Sequence, residues 1–289
     1  MLSGLKRLDP FALLACLLPQ TVIAMFISDP VVTALSLCFG LALNLRLRGA
    51  EILKKAPLYA LVVPVAGVIN TFVNHRGDTP LIYLNDTPLT LEAFLYGARF
   101  ALAVIAALLW FAALTKLFTS AHVIRVFGKA SPATATVISA VLRYIPLFTR
   151  RIKEVAQART ALGAQTEGGI KQKLRGVSDN FAVMVTWSCE SAVESADSMK
   201  ARGYGTRRRT EPRRKKFTGF DLFVTAAGLL LTVAAFVFIS LGGGDFAYYP
   251  QIAFAGSLWT YLLYAAAALL SALPLAVEAR EELLWMRSR

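Results

Sequence analysis

The sequence predicts an all-α integral membrane protein with about six transmembrane helices plus two long amphipathic cytoplasmic helices. Three observations predict this fold class. Of the 289 residues, 56% are hydrophobic and only 17% are charged, whereas about a quarter of the residues in an average soluble domain are charged. Apolar runs of membrane-spanning length recur along the chain. The formal net charge of +13 is concentrated in a few segments between these runs.

Six apolar runs have the length that a membrane helix needs, since a hydrocarbon core of about 30 Å requires roughly 17–25 mostly apolar residues. They comprise residues 11–27, 30–45, 57–73, 93–118, 220–241 and 250–277. The first two meet at a Ser-Asp-Pro sequence and are expected to form a tight hairpin. The first run is longer than a signal-peptide core and lacks a convincing cleavage site, so we interpret it as a membrane helix. The polar residues inside the runs are expected to form hydrogen bonds between helices: Gln20, Asn44 and Asn70.

The positions of the basic residues predict the topology, because Lys and Arg accumulate in cytoplasmic loops. Residues 116–216 hold 20 of the 31 Lys and Arg residues. We therefore expect both termini to be cytoplasmic. The chain is predicted to comprise residues 1–118 with four spans, a cytoplasmic domain of residues 119–217, and residues 218–289 with two spans and a cytoplasmic tail. The basic block at residues 207–216 precedes a span and is expected to contact anionic lipid.

Two long amphipathic helices are predicted within the cytoplasmic segment. The first begins at Ser131, an N-cap followed by proline, and its pattern continues to Leu162. The second covers residues 177–199, and the glycine-rich residues 163–176 are expected to form a flexible linker. Each helix carries an apolar stripe at three- or four-residue intervals. The stripes comprise Val137, Val141, Ile145, Phe148, Ile152, Val155 and Leu162 on the first helix, and Val177, Phe181, Met184, Ser188, Ala192, Ala196 and Met199 on the second.

Each predicted long helix has an arginine close to its C-terminal end. Two triplets contain these arginines: Ala158-Arg159-Thr160 and Ala201-Arg202-Gly203. An arginine before a glycine is common at helix ends, because a cation suits the negative end of the helix dipole and glycine suits the left-handed cap. A capping interpretation therefore stands beside a functional one. The occurrence of two such helices in one cytoplasmic insertion favours a function.

The chain resembles the T component of energy-coupling-factor transporters, the transmembrane coupling subunit of a class of ATP-binding-cassette (ABC) importers for vitamins and metal ions. The family pattern begins with Leu-Asp-Pro, which matches Leu8-Asp9-Pro10 in the sequence RLDPFALL. It continues with membrane helices and two long coupling helices, each closing on an Ala-Arg-Gly-like triplet. The sequence SCESAVESADSMKARGYG matches the second triplet, whereas EVAQARTALGAQ has Thr160 in place of the first glycine.

The resemblance implies that both triplets dock onto two ABC ATPase subunits through Arg159 and Arg202. A guanidinium group has five donors in a rigid fork and can bind a carboxylate bidentately. Closure of the ATPases would shift the helix ends, and the apolar stripes would pass this motion to a substrate-binding S component. The resemblance also implies a non-catalytic subunit without a cofactor, placed in a bacterial or archaeal plasma membrane.

Two other function classes remain open from the residues alone. An integral-membrane enzyme, such as a lipid or prenyl transferase, would need paired carboxylates, for which the best candidates are Glu190, Glu194 and Asp197. We interpret these as a solvated or partner-facing surface. A self-contained permease would bind its substrate without an S component. The sequence has no phosphate-binding G-x-x-x-x-G-K-[ST] motif, so the chain is not expected to be its own ATPase. It also has no Cys/His cluster with metal-ligand spacing, and ionisable residues inside the spans, which usually mark a substrate path, are nearly absent. The absence of a basic surface interleaved with aromatic residues excludes nucleic acid as a partner.

Overall fold

The computed structural model describes residues 5, 8–74, 77–84, 87–130, 132–163, 169–206, 217–244, 246–250, 253–254 and 256–287. Within these ranges the fold is all-α, as predicted. The helices in chain order are α1 (Pro10–Phe26), α2 (Pro30–Arg48), α3 (Ala56–Val73), α4 (Leu91–Leu117), α5 (Ser120–Ala130), α6 (Pro132–Ala161), α7 (Ile170–Ala201), α8 (Gly219–Ser240) and α9 (Leu258–Arg287). Two short antiparallel strand pairs accompany them, β1 (Pro80–Leu84) with β2 (Thr87–Thr90) and β3 (Phe246–Ala247) with β4 (Ala253–Phe254).

Some sequence-based expectations concern positions outside the described residues and stay predictions. They are the N-cap Ser131, residues 164–168 of the expected linker and the basic block at residues 207–216.

The chain divides into two compact units. The first unit comprises Met1–Val123 and Phe217–Arg289, and the second comprises Ile124–Lys216. The first unit therefore contains the six apolar helices α1–α4, α8 and α9. The second contains the two long helices α6 and α7 and most of α5, a helix that the sequence patterns did not predict.

Five helices among the described residues are long and apolar enough to cross a membrane. These candidate spans are Pro30–Glu51, Leu53–Val73, Leu91–Leu117, Gly219–Ser240 and Leu258–Leu284. The remaining predicted span, α1, is a shorter apolar helix of 17 residues. Because 17 residues is the lower limit for crossing a bilayer, the sixth crossing stays a prediction.

Helices α1 and α2 begin with the same Asp-Pro sequence and the same cap. Asp9 accepts a hydrogen bond from the backbone N–H of Phe11 at 3.3 Å, and Asp29 accepts one from Val31 at 2.9 Å. Proline fits the first helical position because its missing N–H would have no partner inside the helix. Only residues 27–29 separate the two helices, which fits a tight turn. Both helices pack mainly against α4 and hardly against each other, so the predicted hairpin stays a prediction.

The polar residues within the apolar runs join different helices, as predicted. Gln20 of α1 accepts a hydrogen bond from Ser271 of α9 at 3.0 Å. The amide of Asn44 in α2 donates to the backbone carbonyl of Leu109 in α4 at 2.8 Å. Similarly, Asn70 of α3 donates to the carbonyl of Ala93 at the start of α4 at 2.6 Å. Such bonds supplement van der Waals packing where lipid removes most of the hydrophobic drive for helix association.

Buried ionisable residues within the candidate spans correct one expectation, since the sequence had suggested that they are nearly absent. Arg99 of α4, Asp221 of α8 and Glu278 of α9 are each at most 6% exposed. Two of them hold the N-terminal segment: Glu278 accepts the backbone N–H of Leu5 at 3.1 Å, and Asp221 accepts that of Asp9 at 3.2 Å. These carboxylates satisfy backbone donors that burial would otherwise leave without a partner.

The last span differs from its predicted bounds at both ends. Its helix begins at Leu258 instead of residue 250 and continues to Arg287 instead of residue 277. The residues before it belong to the β3–β4 pair, in which Phe246 lies opposite Phe254. A short apolar stretch is compatible with a strand as well as with a helix, so composition alone misplaced the boundary.

Candidate functional site

The two long helices that carry the arginine triplets are α6, with 30 residues, and α7, with 32 residues. Each is about 45–48 Å long at 1.5 Å per residue. Helix α7 begins at Ile170, so residues 170–176 of the expected flexible linker are helical. This correction has a simple cause, because five of these seven residues are good helix formers, in the sequence IKQKLRG.

Helices α6 and α7 run antiparallel, as their side-chain contacts demonstrate. The hydroxyl groups of Tyr144 and Ser195 form a hydrogen bond of 2.7 Å, which lowers the pKa of Tyr144. The rings of Phe148 and Trp187 pack edge to face, with centroids 5.6 Å apart. Closer to the connection between the helices, Arg159 contacts Asn180. The two arginines of the triplets therefore lie at opposite ends of this helix pair.

The second triplet lies at the C-terminal end of α7, as predicted. Arg202 is the C-cap residue, and Gly203 follows in the left-handed conformation with φ of 78°. The N–H of Gly203 donates to Lys200 at 2.8 Å and that of Tyr204 donates to Met199 at 3.0 Å. This pair of bonds is the Schellman motif, which requires a residue such as glycine at the left-handed position. The capping interpretation of Gly203 is thus correct.

The side chain of Arg202 is exposed beyond this cap. Within the described part of the chain it makes no hydrogen bond or ion pair. The glycine that terminates the helix therefore leaves a permanently charged, five-donor group at the tip of a helix about 48 Å long. Ala201 beside it is also exposed.

The first triplet differs, because all three of its residues belong to the last turn of α6. Ala158, Arg159 and Thr160 are all helical, and α6 continues to Ala161. The left-handed residue that follows the helix is Gly163, with φ of 76°. The hydroxyl of Thr160 donates to the carbonyl of Ala156 at 3.0 Å. Threonine can replace glycine here because this position needs no left-handed backbone.

Arg159 is engaged by three acceptors of α7. Its Nη1 donates to the carbonyl oxygen of Gly176 at 3.1 Å and to Oδ1 of Asn180 at 2.9 Å. Its Nη2 forms an ion pair with Oδ2 of Asp179 at 2.9 Å. The Arg159 side chain is 26% exposed, so it is considerably more enclosed than Arg202. The two arginines therefore occupy different environments.

The acceptors Asp179 and Asn180 were not identified from the sequence. A usable signal existed, since two helices joined by a short connection pack antiparallel. Residues equally distant from the predicted linker at residues 163–176 then face each other, which places Arg159, four residues before the linker, opposite position 180. The predicted apolar stripe instead contains Val177 and Phe181, which flank this pair in the sequence.

Most of the predicted apolar stripe is not covered within the second unit. Met184 is buried, with 7% of its surface exposed, and Phe148 is half-buried. The exposed members are Val137, Val141, Ile145 and Ile152 of α6, Leu162 just after it, and Val177, Phe181, Ala192 and Ala196 of α7. Isolated exposed apolar residues are ordinary, but a series along two helices indicates an interaction surface.

The carboxylates considered for an enzymatic role form no site in the structure. Glu190, Glu194 and Asp197 are all exposed on α7, and Asp197 lies 3.9 Å from Lys200 on the next turn. Over the described ranges, no group of three or more His, Cys, Asp or Glu residues could hold a metal ion. Their exposure agrees with the interpretation as a solvated surface.

Comparisons with known proteins point to a single family. The CbiQ family, described as cobalt transport protein, matches residues 3–212. The energy-coupling factor transporter transmembrane protein EcfT of Bacillus selenitireducens (strain ATCC 700615 / DSM 15326 / MLS10) is 25% identical over 255 residues, which cover 83% of this chain and 95% of that protein. EcfT of Lactobacillus helveticus (strain DPC 4571) is 27% identical over 115 residues, or 37% of this chain and 42% of that protein.

A further relative carries a different name. The putative ABC transporter ATP-binding protein BL0043 of Bifidobacterium longum (strain NCC 2705) is 28% identical over 253 residues. The match covers 81% of this chain but 32% of that protein, so the chain spans about a third of the length of this relative.

These similarities confirm the resemblance that the Leu-Asp-Pro and Ala-Arg-Gly sequences indicated. The EcfT relatives are multi-pass membrane proteins and non-catalytic transporter subunits. Since the family match extends over more than half of the 289 residues, the chain belongs to the CbiQ family and is a transmembrane component of the energy-coupling factor type.

Proposed function

We propose that this protein couples ATP hydrolysis to uptake, by transmitting the motion of two ABC ATPase subunits to a substrate-binding S component for a vitamin or a metal ion. The observation that carries the proposal is the exposed guanidinium group of Arg202 at the tip of the 32-residue helix α7. A coupling subunit needs a stiff element with an attachment point for the ATPase subunits. Helix α7 and its C-cap residue have these two properties.

The proposed topology places this attachment point on the cytoplasmic side, where ATP is available. The segment of residues 116–216, which includes α6 and α7, holds 20 of the 31 Lys and Arg residues. Basic segments remain cytoplasmic during membrane insertion. With α1 as a sixth crossing, both chain termini are then also cytoplasmic.

Docking through Arg202 has a physical basis in guanidinium chemistry. The group stays charged at any physiological pH and forms two parallel hydrogen bonds with a carboxylate. An acidic groove on an ATPase subunit could therefore hold the tip of α7 in a defined orientation. The Schellman motif at Gly203 supports this role, because it ends the helix immediately beyond the arginine and keeps the tip narrow.

The end of α6 is the proposed second contact, with Ala158, Arg159 and Thr160 near it. Its cation is already engaged within the chain by Asp179 and Asn180. The α6 end therefore offers exposed backbone and side chains, such as those of Thr160 and Leu162, more readily than a free guanidinium group.

The exposed apolar residues along α6 and α7 fit the proposed S component. Val141 and Ile145 of α6, with Phe181 of α7, are about half exposed or more. Burying such side chains against a partner contributes about 25 cal/mol per Å² of apolar area. A partner seated on this surface would move with the helices when their ends are displaced.

The Bifidobacterium longum relative supports an ATPase partner. It is named for ATP binding, and the region similar to this chain is about a third of its length. The present sequence has no phosphate-binding G-x-x-x-x-G-K-[ST] motif. We infer that the ATP-binding part of that relative corresponds to a separate subunit in the present transporter.

A self-contained permease is the remaining alternative, and substrate binding separates it from the proposal. Isothermal titration of the purified chain with Co²⁺ and with water-soluble vitamins should give no saturable binding in the absence of an S component. Saturable binding by the chain alone would favour the permease.

Charge reversal of Arg202 tests the docking function directly. The affinity-tagged chain is expressed with the complete transporter of its source cell, and the ATPase subunits recovered per tagged chain are counted by quantitative mass spectrometry. Arg202→Glu should reduce recovery by roughly tenfold or more, because losing one partner of a desolvated charge pair costs about 2–5 kcal/mol.

Lys200→Glu is the matched control, since it makes the same charge change two residues away on the same helix. Lys200 is exposed and lies 3.9 Å from Asp197 of its own helix. Its reversal should leave ATPase recovery close to that of the wild type. Normal recovery with Arg202→Glu, or equal losses with both variants, would refute docking through Arg202.

A further inference from the structure

We infer that the Leu-Asp-Pro segment near the start of the chain is a positioning element, which fastens both roots of the second unit to α9. The anchor segment consists of Leu5 with Leu8, Asp9 and Pro10. The two roots are residues 117–122, where the chain leaves the first unit, and residues 217–221, where it returns. The inference rests on the proposed function, since it concerns how displacement of the long helices reaches the membrane helices.

The returning root is bound to the anchor segment through the carboxylate of Asp221. Its Oδ1 accepts the backbone N–H of Asp9 at 3.2 Å, and its Oδ2 accepts that of Thr218 at 3.0 Å. Thr218 is the N-cap of α8 and forms a capping box with Asp221. One buried carboxylate thus binds the anchor segment and the first turn of α8 at the same time.

The departing root is bound to the anchor segment through apolar packing. Leu5 and Leu8 are buried in the same cluster as Leu117, the last residue of α4. Phe118 packs against this cluster, and its ring stacks on that of His122 with the centroids 5.7 Å apart. His122 belongs to α5, which continues without interruption from the first unit into the second. The anchor segment therefore packs against the residues from which this helix departs.

Helix α9 holds both the anchor segment and the returning root. Glu278 accepts the backbone N–H of Leu5 at 3.1 Å. Two residues later, the guanidinium group of Arg280 lies over the ring of Phe220, 4.0 Å from its centroid, which is a cation–π contact. Val277 adds apolar contact, because it belongs to the same buried cluster as Leu5. The anchor segment, both roots and the last membrane helix are therefore joined in one connected set of contacts.

These contacts have the properties of a stiff joint. Hydrogen bonds to a charged acceptor are about twice as strong as neutral ones, and low-dielectric surroundings strengthen them further. Asp221 and Glu278 are both buried, with 3% and 6% of their surfaces exposed. A displacement of either root consequently moves α9 instead of being lost in the connection. This gives the Leu-Asp-Pro sequence a role in coupling beyond its cap on α1.

Replacing Glu278 tests this role, because Glu278→Met removes the acceptor and keeps the volume. The tagged chain is purified with the complete transporter of its source cell and reconstituted in liposomes. The cargo is the one, among radiolabelled Co²⁺ and water-soluble vitamins, whose uptake the source cell loses when this chain is deleted. ATPase recovery and ATP hydrolysis should stay within about twofold of the wild type, whereas uptake per ATP hydrolysed should fall about fivefold or more, as the loss of one charged hydrogen bond permits.

Two further variants separate coupling from folding. Glu278→Gln keeps a side-chain oxygen for the N–H of Leu5 and should keep uptake per ATP within about twofold of the wild type. Gly97→Ala disturbs the packing of α3 on α4 and serves as a destabilised control, whose uptake per ATP should not change. The inference is wrong if Glu278→Met keeps wild-type uptake per ATP, if its ATPase recovery falls in step with uptake, or if Gly97→Ala lowers uptake per ATP equally.

Hydrogen exchange of the isolated chain gives a measurement that needs no ATPase. The backbone N–H of Thr218 should exchange at least about threefold faster in Glu278→Met than in the wild type, since loosening of the anchor segment also loosens Asp221. The peptide that covers residues 217–221 reports this rate by mass spectrometry. An unchanged rate would overturn the joint, whatever Arg202→Glu does. Normal ATPase recovery with Arg202→Glu would instead refute docking through Arg202 and leave the joint in place.

Discussion

The carboxylate of Glu278 in α9 accepts a hydrogen bond from the backbone N–H of Leu5 at 3.1 Å, which joins residues 273 positions apart. Both residues are buried, with Leu5 completely inaccessible and Glu278 6% exposed. Helix α9 thus holds the segment that precedes α1. Asp221 of α8 acts similarly on the backbone of Asp9, so the Leu-Asp-Pro sequence enters the bundle between two carboxylates.

Glu278→Ala should lower the stability of the first unit by about 1.5–3 kcal/mol, the value for a hydrogen bond to a charged group. The thermal unfolding midpoint of the detergent-purified protein measures the change. Glu282→Ala on the next turn is the control, because its ion pair with Arg46 at 2.9 Å is about half exposed and should contribute no more than about 1 kcal/mol. Equal shifts for both variants would contradict an anchoring role of Glu278.

The bond between Gln20 and Ser271 should appear as a coupling between α1 and α9. In a double-mutant cycle of Gln20→Met and Ser271→Ala, the coupling free energy should be about 0.6 kcal/mol, the average for hydrogen bonds between membrane helices. The free energies of unfolding in mixed micelles provide the measurement. Thr21→Ala paired with Ser271→Ala is the control cycle, since the hydroxyl of Thr21 donates to Leu18 of its own helix. Strict additivity in the first cycle would exclude the bond.

Gly97→Ala should separate α3 from α4. A methyl group at Gly97 would lie 2.5 Å from the Cβ of Asn70 and 2.8 Å from the carbonyl oxygen of Ala66. Alanine favours a helix interior by about 1 kcal/mol over glycine, but overpacking costs about 1–3 kcal/mol, so the clash should dominate and lower the unfolding midpoint. Gly219→Ala is the control, because no atom lies within 4 Å of its added methyl group. If the unfolding midpoint rises for both variants, α3 can move to accommodate the methyl group at little cost, and the predicted destabilisation by Gly97→Ala is wrong.

Tyr248 should make stability depend on pH in the alkaline range. Burial raises its pKa to about 12, compared with about 10 in an unfolded chain. The folded protein therefore retains a proton that the unfolded chain loses, so stability is unaffected below pH 10 and falls between pH 10 and 12. Phenolate absorbance of the wild type minus that of Tyr248→Phe should show a late-titrating group. A difference spectrum that titrates near pH 10 would contradict this burial.

Much of the fold followed from one-dimensional patterns. Asp9-Pro10 and Asp29-Pro30 were recognisable helix starts because an N-cap acceptor and a proline act within a few residues. The six apolar runs coincide with helices because membrane-spanning length and composition are local properties. The start of the last helix at Leu258 was mispredicted as residue 250. The β3–β4 pair before it depends on pairing between residues 246 and 254, which local composition does not indicate.

In the candidate site, too, local features could be predicted from the sequence, whereas contacts between the two long helices could not. The Schellman motif at Gly203 could be expected from the string Ala-Arg-Gly, since its two bonds span only six residues. Gly163 stands four residues beyond Arg159 and was expected to begin the linker after the first long helix, in agreement with its left-handed φ of 76°. Neither the arginine triplets nor the apolar stripes predicted the contact of Arg159 with Asp179.

The amino-acid sequence by itself determined the family, the positions of the apolar helices and the presence of two long amphipathic helices, because these depend on local composition and periodicity. Only the tertiary structure decided that the Arg202 side chain makes no hydrogen bond or ion pair within the described residues, while Arg159 is bound to α7. The reason is that two chemically identical side chains acquire different surroundings when the chain between them reverses direction, and that reversal places Asp179 and Asn180 beside one arginine and nothing described beside the other.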